Sequence, residues 1–281
     1  MLGVNEERDL LLTDADFERI RKLIHQRAGI ALATHKREMV YSRLAKRLRV
    51  LGKRRFQDYL ALLDADDSSP EWEHFTNALT TNLTSFFREA HHFPILAEHV
   101  AKQTKPVRVW CSAASTGEEP YSIAMTLQEA LGPRASSASI VATDIDTRAL
   151  GVARAGIYPM TQVGKLSPER LKRFFQKGTG AREGMARVHP SLGDMIEFQP
   201  LNLLAPRWDI SGPFDAIFCR NVMIYFDKPT QRQILDRFAP LLKPGGLLFA
   251  GHSENFTYIS QAFRLRGHTV YELAEQRRSS A

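Results

Sequence analysis

Four short apolar runs constrain the fold of this chain more than any other feature. Residues 107–111, 140–143, Phe214–Cys219 and 247–250 are each four to six residues long and bounded by turn or polar residues, the pattern of strands buried on both faces. Between them the apolar spacing turns helical, over about 120–131, 147–155 and 229–242, and Lys243-Pro-Gly-Gly246 is a turn. Strands alternating with helices predict a parallel, doubly wound sheet. The end of the chain, Phe263-Arg-Leu-Arg-Gly-His-Thr-Val-Tyr-Glu-Leu, reads instead as an antiparallel hairpin turning near Gly267.

Two other regions break this alternation. Over about 13–90 the pattern is helical. Thr13-Asp-Ala-Asp16 is an N-cap signal, followed by Phe17, Ile20, Leu23 and Ile24, then Val40, Leu44, Leu48 and Leu51, then Phe56, Tyr59, Leu60 and Leu63. Asp64-Ala-Asp-Asp-Ser-Ser-Pro70 is a loop, and helical spacing resumes through Trp72, Phe75 and Leu79. Over 171–200, short β-rich pieces around Arg173, Met185 and Met195 are separated by glycines, which predicts a small antiparallel insertion. The expected organisation is a helical domain over 1–85, a linker over 86–105 and an α/β domain over 106–281 that carries the insertion.

Composition narrows the setting. The chain has 281 residues, 43% of them hydrophobic, which is enough for a large core without disulfides. Cys111 and Cys219 each end an apolar run and read as small buried hydrophobes in a reduced, cytoplasmic setting. The start, Met1-Leu-Gly-Val-Asn-Glu-Glu-Arg-Asp, lacks the order of a signal peptide, and no run approaches the roughly 18 apolar residues of a membrane span. A net charge of +7 and a pI near 9.5 suggest an acidic partner.

In an open α/β sheet, ligands sit beyond the carboxyl ends of the strands. After the first strand comes Ser112-Ala-Ala-Ser-Thr-Gly-Glu-Glu-Pro-Tyr-Ser, where small residues and Gly117 let a ligand approach the backbone. Glu118 and Glu119 make it a poor phosphate cradle and a good one for an amino group or a sulfonium. It is neither G-x-G-x-x-G nor a P-loop. A capped strand–helix loop with no ligand is the alternative. After the second strand, Asp144-Ile-Asp146 offers a carboxylate for ribose hydroxyls or a helix cap. Asp146 fits the cap better and Asp144 the ribose. Arg220-Asn221 follow the third strand, where an Asn can bond a ligand or close a turn.

Five segments together resemble the chemotaxis receptor methyltransferases of the CheR type. They are Thr81-Asn-Leu-Thr-Ser-Phe-Phe-Arg-Glu, Cys111-Ser-Ala-Ala-Ser-Thr-Gly-Glu-Glu-Pro-Tyr-Ser, Ala142-Thr-Asp-Ile-Asp, Phe214-Asp-Ala-Ile-Phe-Cys-Arg-Asn-Val-Met-Ile-Tyr-Phe and Gly251-His-Ser-Glu, within a likeness running from about 13 to 275. The resemblance implies a Rossmann-like class I methyltransferase sheet with a small antiparallel β-subdomain and an N-terminal all-α domain. It also implies transfer of methyl from S-adenosylmethionine to receptor glutamates, giving methyl esters and S-adenosylhomocysteine. On the matching positions, Asn82, Thr84 and Arg88 would contact the cofactor from the segment between the domains, and Glu119 and Asp144, with Glu118 beside them, from the strand ends. Asn202, Leu203, Arg220 and Asn221 would complete the pocket. Without the resemblance, the segment around Leu83, Phe86 and Phe87 reads as an amphipathic helix.

A glutamate with a pKa of about 4.3 is already ionised at neutral pH, so methyl transfer to it needs no general base. Tyr225 is the candidate for orienting the acceptor carboxylate, or else packs beneath the following helix. No metal is expected, since His91, His92 and His99 lack cysteines at zinc spacing. Residues 36–55 hold nine Lys or Arg against one acid, Glu38, and Arg43, Lys46, Arg47 and Arg54 are the expected docking face for the glutamate-rich cytoplasmic helices of a receptor. Arg187 is the expected contact for a receptor's C-terminal peptide. The protein is expected to be a monomer, with neither nucleic acid nor membrane insertion. The rival readings are a non-catalytic S-adenosylmethionine sensor or scaffold, and a nucleic-acid methyltransferase. The second lacks an N/D-P-P-Y/F segment and any RNA-binding signature.

Overall fold

A computed structural model describes residues 10–274. The reading of the N-terminus as lacking a signal peptide rests on residues 1–9, outside that range. The chain divides into two compact units between Thr81 and Asn82.

The first unit is helical: α1 (Asp14–Ala28), α2 (Arg37–Val50), α3 (Phe56–Ala65) and α4 (Glu71–Leu79). Helix α1 starts with a capping box, in which Thr13 Oγ1 accepts from the Asp16 amide and Asp16 returns the bond to the Thr13 amide. Gly29 ends it in the left-handed conformation. Ile20, Ile24, Val40, Leu44, Leu48, Phe56, Tyr59, Leu63 and Phe75 are completely buried, so the apolar spacing in the sequence is this unit's core. One polar cluster lies inside it. The Arg47 guanidinium grips Glu71 at 2.7 and 2.5 Å, and the Tyr59 hydroxyl donates to the same carboxylate at 2.9 Å. Arg43 donates to the Thr80 carbonyl at 2.5 Å.

The second unit carries a seven-stranded sheet built from β1 (Arg108–Cys111), β2 (Ser139–Asp144), β6 (Ile196–Pro200), β7 (Phe214–Cys219), β8 (Leu242–Ala250), β9 (Phe263–Gly267) and β10 (Val270–Leu273), in the order β6-β2-β1-β7-β8-β10-β9. The first five are mutually parallel, and β10 is antiparallel to both its neighbours. His268 and Thr269, both at positive φ, make the hairpin turn beside Gly267. Helices α5 (His92–Ala101), α6 (Glu118–Leu131), α7 (Thr147–Ala155) and α11 (Lys228–Phe238) flank the sheet. A second, three-stranded antiparallel sheet has the order β3-β5-β4, from β3 (Ile157–Pro159), β4 (Phe175–Lys177) and β5 (Met185–Val188), with the short helices α8 (Met160–Val163), α9 (Pro168–Phe174) and α10 (Pro190–Gly193) around it. No helix among the described residues is long and apolar enough to cross a membrane.

Three expectations need correction. The segment around Met195 does not belong to the small sheet. Residues 196–200 extend the main sheet as β6, and the third strand of the small sheet comes from Ile157–Pro159, before the expected insertion of 171–200. Short β-rich pieces look alike in sequence, and only pairing assigns them to a sheet. Residues 86–105, expected as a linker, contain α5, whose Phe93, Leu96 and Val100 belong to the core of the second unit. Helical spacing also does not continue to residue 90. The chain from Thr80 to His91 is irregular, with Leu83 79% exposed and Phe86 and Phe87 packed on that core.

Glu71 has almost no access to water, so removing Arg47 would strand its charge. Arg47→Ala should therefore lower stability by about 2–4 kcal/mol in urea unfolding, whereas Lys46→Ala, at an exposed position, should change it by under about 0.5 kcal/mol.

Candidate active site

The chain leaves β1 toward β2 on one side and returns to β7 on the other, so the crevice of this sheet opens between the carboxyl ends of β1 and β7. Several of the expected cofactor residues meet at these strand ends through hydrogen bonds and ion pairs. Arg220, immediately after β7, has a side chain only 1% exposed. Its guanidinium reaches Glu119 on the first turn of α6 at 2.6 Å, donates to the Arg88 carbonyl and lies 3.4 Å from Glu89. One cation thus holds three chain segments together. Burial pushes the Glu119 carboxyl up, and Arg220 pulls against it. For Glu89, burial acts in the same upward sense, but the charge of Arg220 and bonds from His252 and Asn221 outweigh it and hold the carboxyl at about 2.

The β2 end is arranged as two acids with separate tasks. Asp146 caps α7, accepting from the Arg148 and Ala149 amides, and takes a bond from Asn82 Nδ2 at 2.7 Å. Asp144 accepts from the Ser115 amide at 2.7 Å and the Asp146 amide at 2.9 Å. Burial raises the Asp144 carboxyl to about 6, with those backbone bonds opposing the shift. Leu201 donates to the Asp144 carbonyl, which brings the following Asn202 and the buried Leu203 beside this strand end. Glu118 is buried with its carboxylate bonded by Thr116 Oγ1, and burial raises it. Arg88 turns back onto the Leu83 carbonyl at 2.8 Å, and Thr84 is half-buried in the same irregular segment.

Gly117 has a different task from the one its sequence suggests. At φ +101° it is confined to glycine, and an added Cβ would meet the Tyr158 hydroxyl at 2.6 Å and Ala153 Cβ at 2.8 Å. The close approach is therefore made by the second sheet and α7, through Tyr158, which donates to the Thr116 carbonyl at 2.7 Å.

Glu254, the last residue of the Gly251-His-Ser-Glu segment, organises the β7 end. Its buried carboxylate accepts from the amides of Gly251 at 2.6 Å, Asn221 at 2.9 Å, Val222 at 3.0 Å and Met223 at 2.8 Å. Gly251 leaves room for this, since a Cβ there would stand 2.4 Å from Asn221 Nδ2 and 2.9 Å from Glu254. From the other side, Gln231 Nε2 donates to the Met223 and Phe226 carbonyls. The 3₁₀ turn Met223–Tyr225 is thus fixed through both its donors and its acceptors. Phe226, and not Tyr225, packs against the apolar core beneath, which leaves Tyr225 half-buried on the turn. No spacing rule could have singled out Glu254, because three of its four partners, Asn221, Val222 and Met223, lie some thirty residues away.

Backbone strain concentrates here. Among the described residues, six non-glycine positions have positive φ. Two make the hairpin turn, and the other four are Phe87, Glu89, Ser115 and Asn221, all in the segments joined by Arg220, Asp144 and Glu254. Left-handed conformations cost free energy and persist where the surrounding bonds over-determine them, as at ligand clamps. Of the expected receptor contacts, Arg43 and Arg47 are engaged inside the helical unit. Lys46 and Arg54 are exposed there, and Arg187 is exposed on β5, the central strand of the small sheet.

An open, mostly parallel sheet closed by a hairpin, with carboxylates rather than a phosphate loop at its switch point, is the architecture of Rossmann-like S-adenosylmethionine-dependent methyltransferases. The acids at the β1 and β2 ends suit a cationic, hydroxyl-rich ligand. The family comparison names the class more closely: the model for the CheR methyltransferase SAM-binding domain matches residues 82–272, and that for the CheR all-alpha domain matches 15–80. The chain belongs to the CheR methyltransferase family. It is 63% identical over 268 residues to a chemotaxis protein methyltransferase of Klebsiella aerogenes, covering 95% of this chain and 92% of the relative. It is 58% identical to the one from Escherichia coli, covering 95% and 93%, and 51% identical to chemotaxis protein methyltransferase 2 of Pseudomonas aeruginosa, covering 93% and 94%.

Two outcomes follow for the site. Glu254→Gln should lower stability by about 1–3 kcal/mol and weaken S-adenosylmethionine binding, measured by urea unfolding and calorimetry, because a charged acceptor of four buried amides becomes a neutral one. Asp144 should lose its charge as pH falls through about 6, so affinity for the cofactor should be full above that pH and decline below it in titrations from pH 8 to 5.

Proposed function

We propose that this protein transfers methyl from S-adenosylmethionine to glutamate side chains in the cytoplasmic helices of chemoreceptors, giving glutamate methyl esters. The observation that carries this reading is the buried Arg220–Glu119 pair across the sheet's switch point, in a chain whose two units both match the CheR family. When bound, the cofactor supplies a methyl group activated by sulfonium charge.

The residues around it bind, orient and exclude water. Asp144 accepts from ribose hydroxyls. Asn202 and Leu203 flank the adenine side. Glu118, Glu119, Arg220 and Asn221 border the methionine side, with Asn82, Thr84 and Arg88 along the irregular segment above. The acceptor glutamate is ionised at neutral pH and needs no base. What the protein supplies is alignment, which is worth several kcal/mol when the reacting atoms are held in line. Tyr225 is the residue proposed to orient the acceptor carboxylate through its hydroxyl, and its fixed turn is what supports that role. Receptor docking is assigned to Lys46 and Arg54, two exposed cations of the basic helix and the loop after it, and a receptor's C-terminal peptide to the small sheet around Arg187. A monomer in the cytoplasm suits this task.

The test is transfer of labelled methyl from S-adenosylmethionine to receptor, RNA and DNA. Base-labile label should appear on receptor glutamates alone. Label on nucleic acid, or cofactor binding without any transfer, would overturn the reading. Tyr225→Phe should keep cofactor affinity within about twofold and lower kcat by about tenfold or more. Lys46→Glu with Arg54→Glu should raise the receptor KM several-fold at unchanged cofactor affinity.

A further inference from the structure

Beside the cofactor rim, two acceptors face each other with no donor between them. His92 is completely buried, and its Nε2 lies 2.9 Å from the His268 carbonyl. A carbonyl can only accept, so Nε2 carries the proton and Nδ1 presents a bare lone pair. That Nδ1 has no hydrogen-bond partner, and neither has the Oε2 of Glu89, 3.7 Å away with its side chain 9% exposed. The Arg220 guanidinium stands 3.4 Å from that oxygen without a hydrogen bond to it, so a carboxylate oxygen and an unprotonated imidazole nitrogen still turn open lone pairs toward one another, a pair of donors that suits a metal cation.

The third donor is adjacent. Glu89, His91 and His92 each place one ligand atom within 4.8 Å of the others'. We propose that this trio is a binding site for a divalent transition ion of Zn²⁺ chemistry. Imidazole nitrogens and a carboxylate are the donor set such ions take, with three protein ligands and water completing a tetrahedron. The bond from His92 to the His268 carbonyl is the outer contact that fixes the tautomer and orientation of a ligating histidine. Around a single ion at ~2.05 Å, the ligand atoms would stand about 3.3 Å apart. The trio therefore has to draw in, and His91 is its solvent-exposed member, with its ring against those of His92 and His268.

The opposing charge is Arg220, 3.4 Å from Glu89 Oε2, and it is already neutralised by Glu119 at 2.6 Å. Oε1 of Glu89 stays fixed by Asn221 Nδ2 at 3.3 Å and by His252, so Oε2 is the oxygen available to the ion. Because Glu89 then divides its charge between the ion and Arg220, occupancy of this site should weaken cofactor binding, and by linkage the cofactor should weaken the ion. This coupling rests on the methyltransferase reading above. The ion site itself does not.

Chelator-treated full-length protein is titrated with Zn²⁺ by calorimetry and with Co²⁺ by visible absorption, without cofactor. One ion per chain is expected, with affinity reduced at least about tenfold in Glu89→Gln and in His91→Ala, and unchanged in His35→Ala, an exposed histidine in the helical unit. His91 is exposed, so its variant should fold, which circular dichroism checks. Absence of binding up to millimolar ion, or binding equally strong in both Glu89→Gln and His91→Ala, overturns the site. A repeat with saturating S-adenosylmethionine tests the coupling alone: weaker Zn²⁺ binding supports it, and an unchanged affinity removes the coupling while leaving the site.

Discussion

The buried guanidinium of Arg220 is the interaction on which the site depends. A charge with 1% exposure is tolerable only when opposite charge and acceptors surround it, and Glu119, Glu89 and the Arg88 carbonyl supply them. Those partners come from two separate stretches, the first turn of α6 and the irregular segment after Asn82, and Arg220 itself comes from a third, the end of β7. Satisfying one cation therefore fixes the mutual positions of the segments that line the crevice. Replacing such a network with apolar residues could serve stability equally well, so its presence points to a site that needs charge.

The remaining polar groups follow the same logic on a smaller scale. Asp146 satisfies the α7 amides and Asn82, Asp144 satisfies the Ser115 and Asp146 amides, and Glu254 gathers the amides of a turn whose carbonyls Gln231 holds. Each carboxylate stabilises a backbone conformation that would otherwise be costly, most plainly the left-handed Asn221. Glycine is used where atoms must pass close, at Gly117 under Tyr158 and at Gly251 under Asn221. The small sheet is tied to the first strand-end loop, since β3 delivers Tyr158 to the Thr116 carbonyl.

The sheet was legible because a strand buried on both faces must be largely apolar, and the buried stretches 109–111, 140–142, 216–219 and 247–250 are. The helical unit was legible for the matching reason, since Ile20, Ile24, Leu44 and Leu48 repeat at helical spacing. Strand ends mark ligand positions in this architecture, so Asp144, Arg220 and Asn221 could be proposed from their place after apolar runs, and the structure places each at or just after the end of its strand. Weakly patterned segments were misassigned: β6 was grouped with the wrong sheet, and α5 was taken for a linker although its apolar face enters the core.

The sequence by itself thus determined which segments are strands and helices, which residues are core, and which acids follow which strands. These depend on local spacing, and local spacing survives in one dimension. Only the tertiary structure decided what the charged residues do. Arg47 looked like part of a docking face and is joined to Glu71, Glu254 looked incidental and holds four amides, and His92 looked like one histidine of a pair and faces Glu89 with a bare nitrogen. A charge takes its role from the partners that close it off from water, and those partners are brought together by packing between elements far apart in the chain.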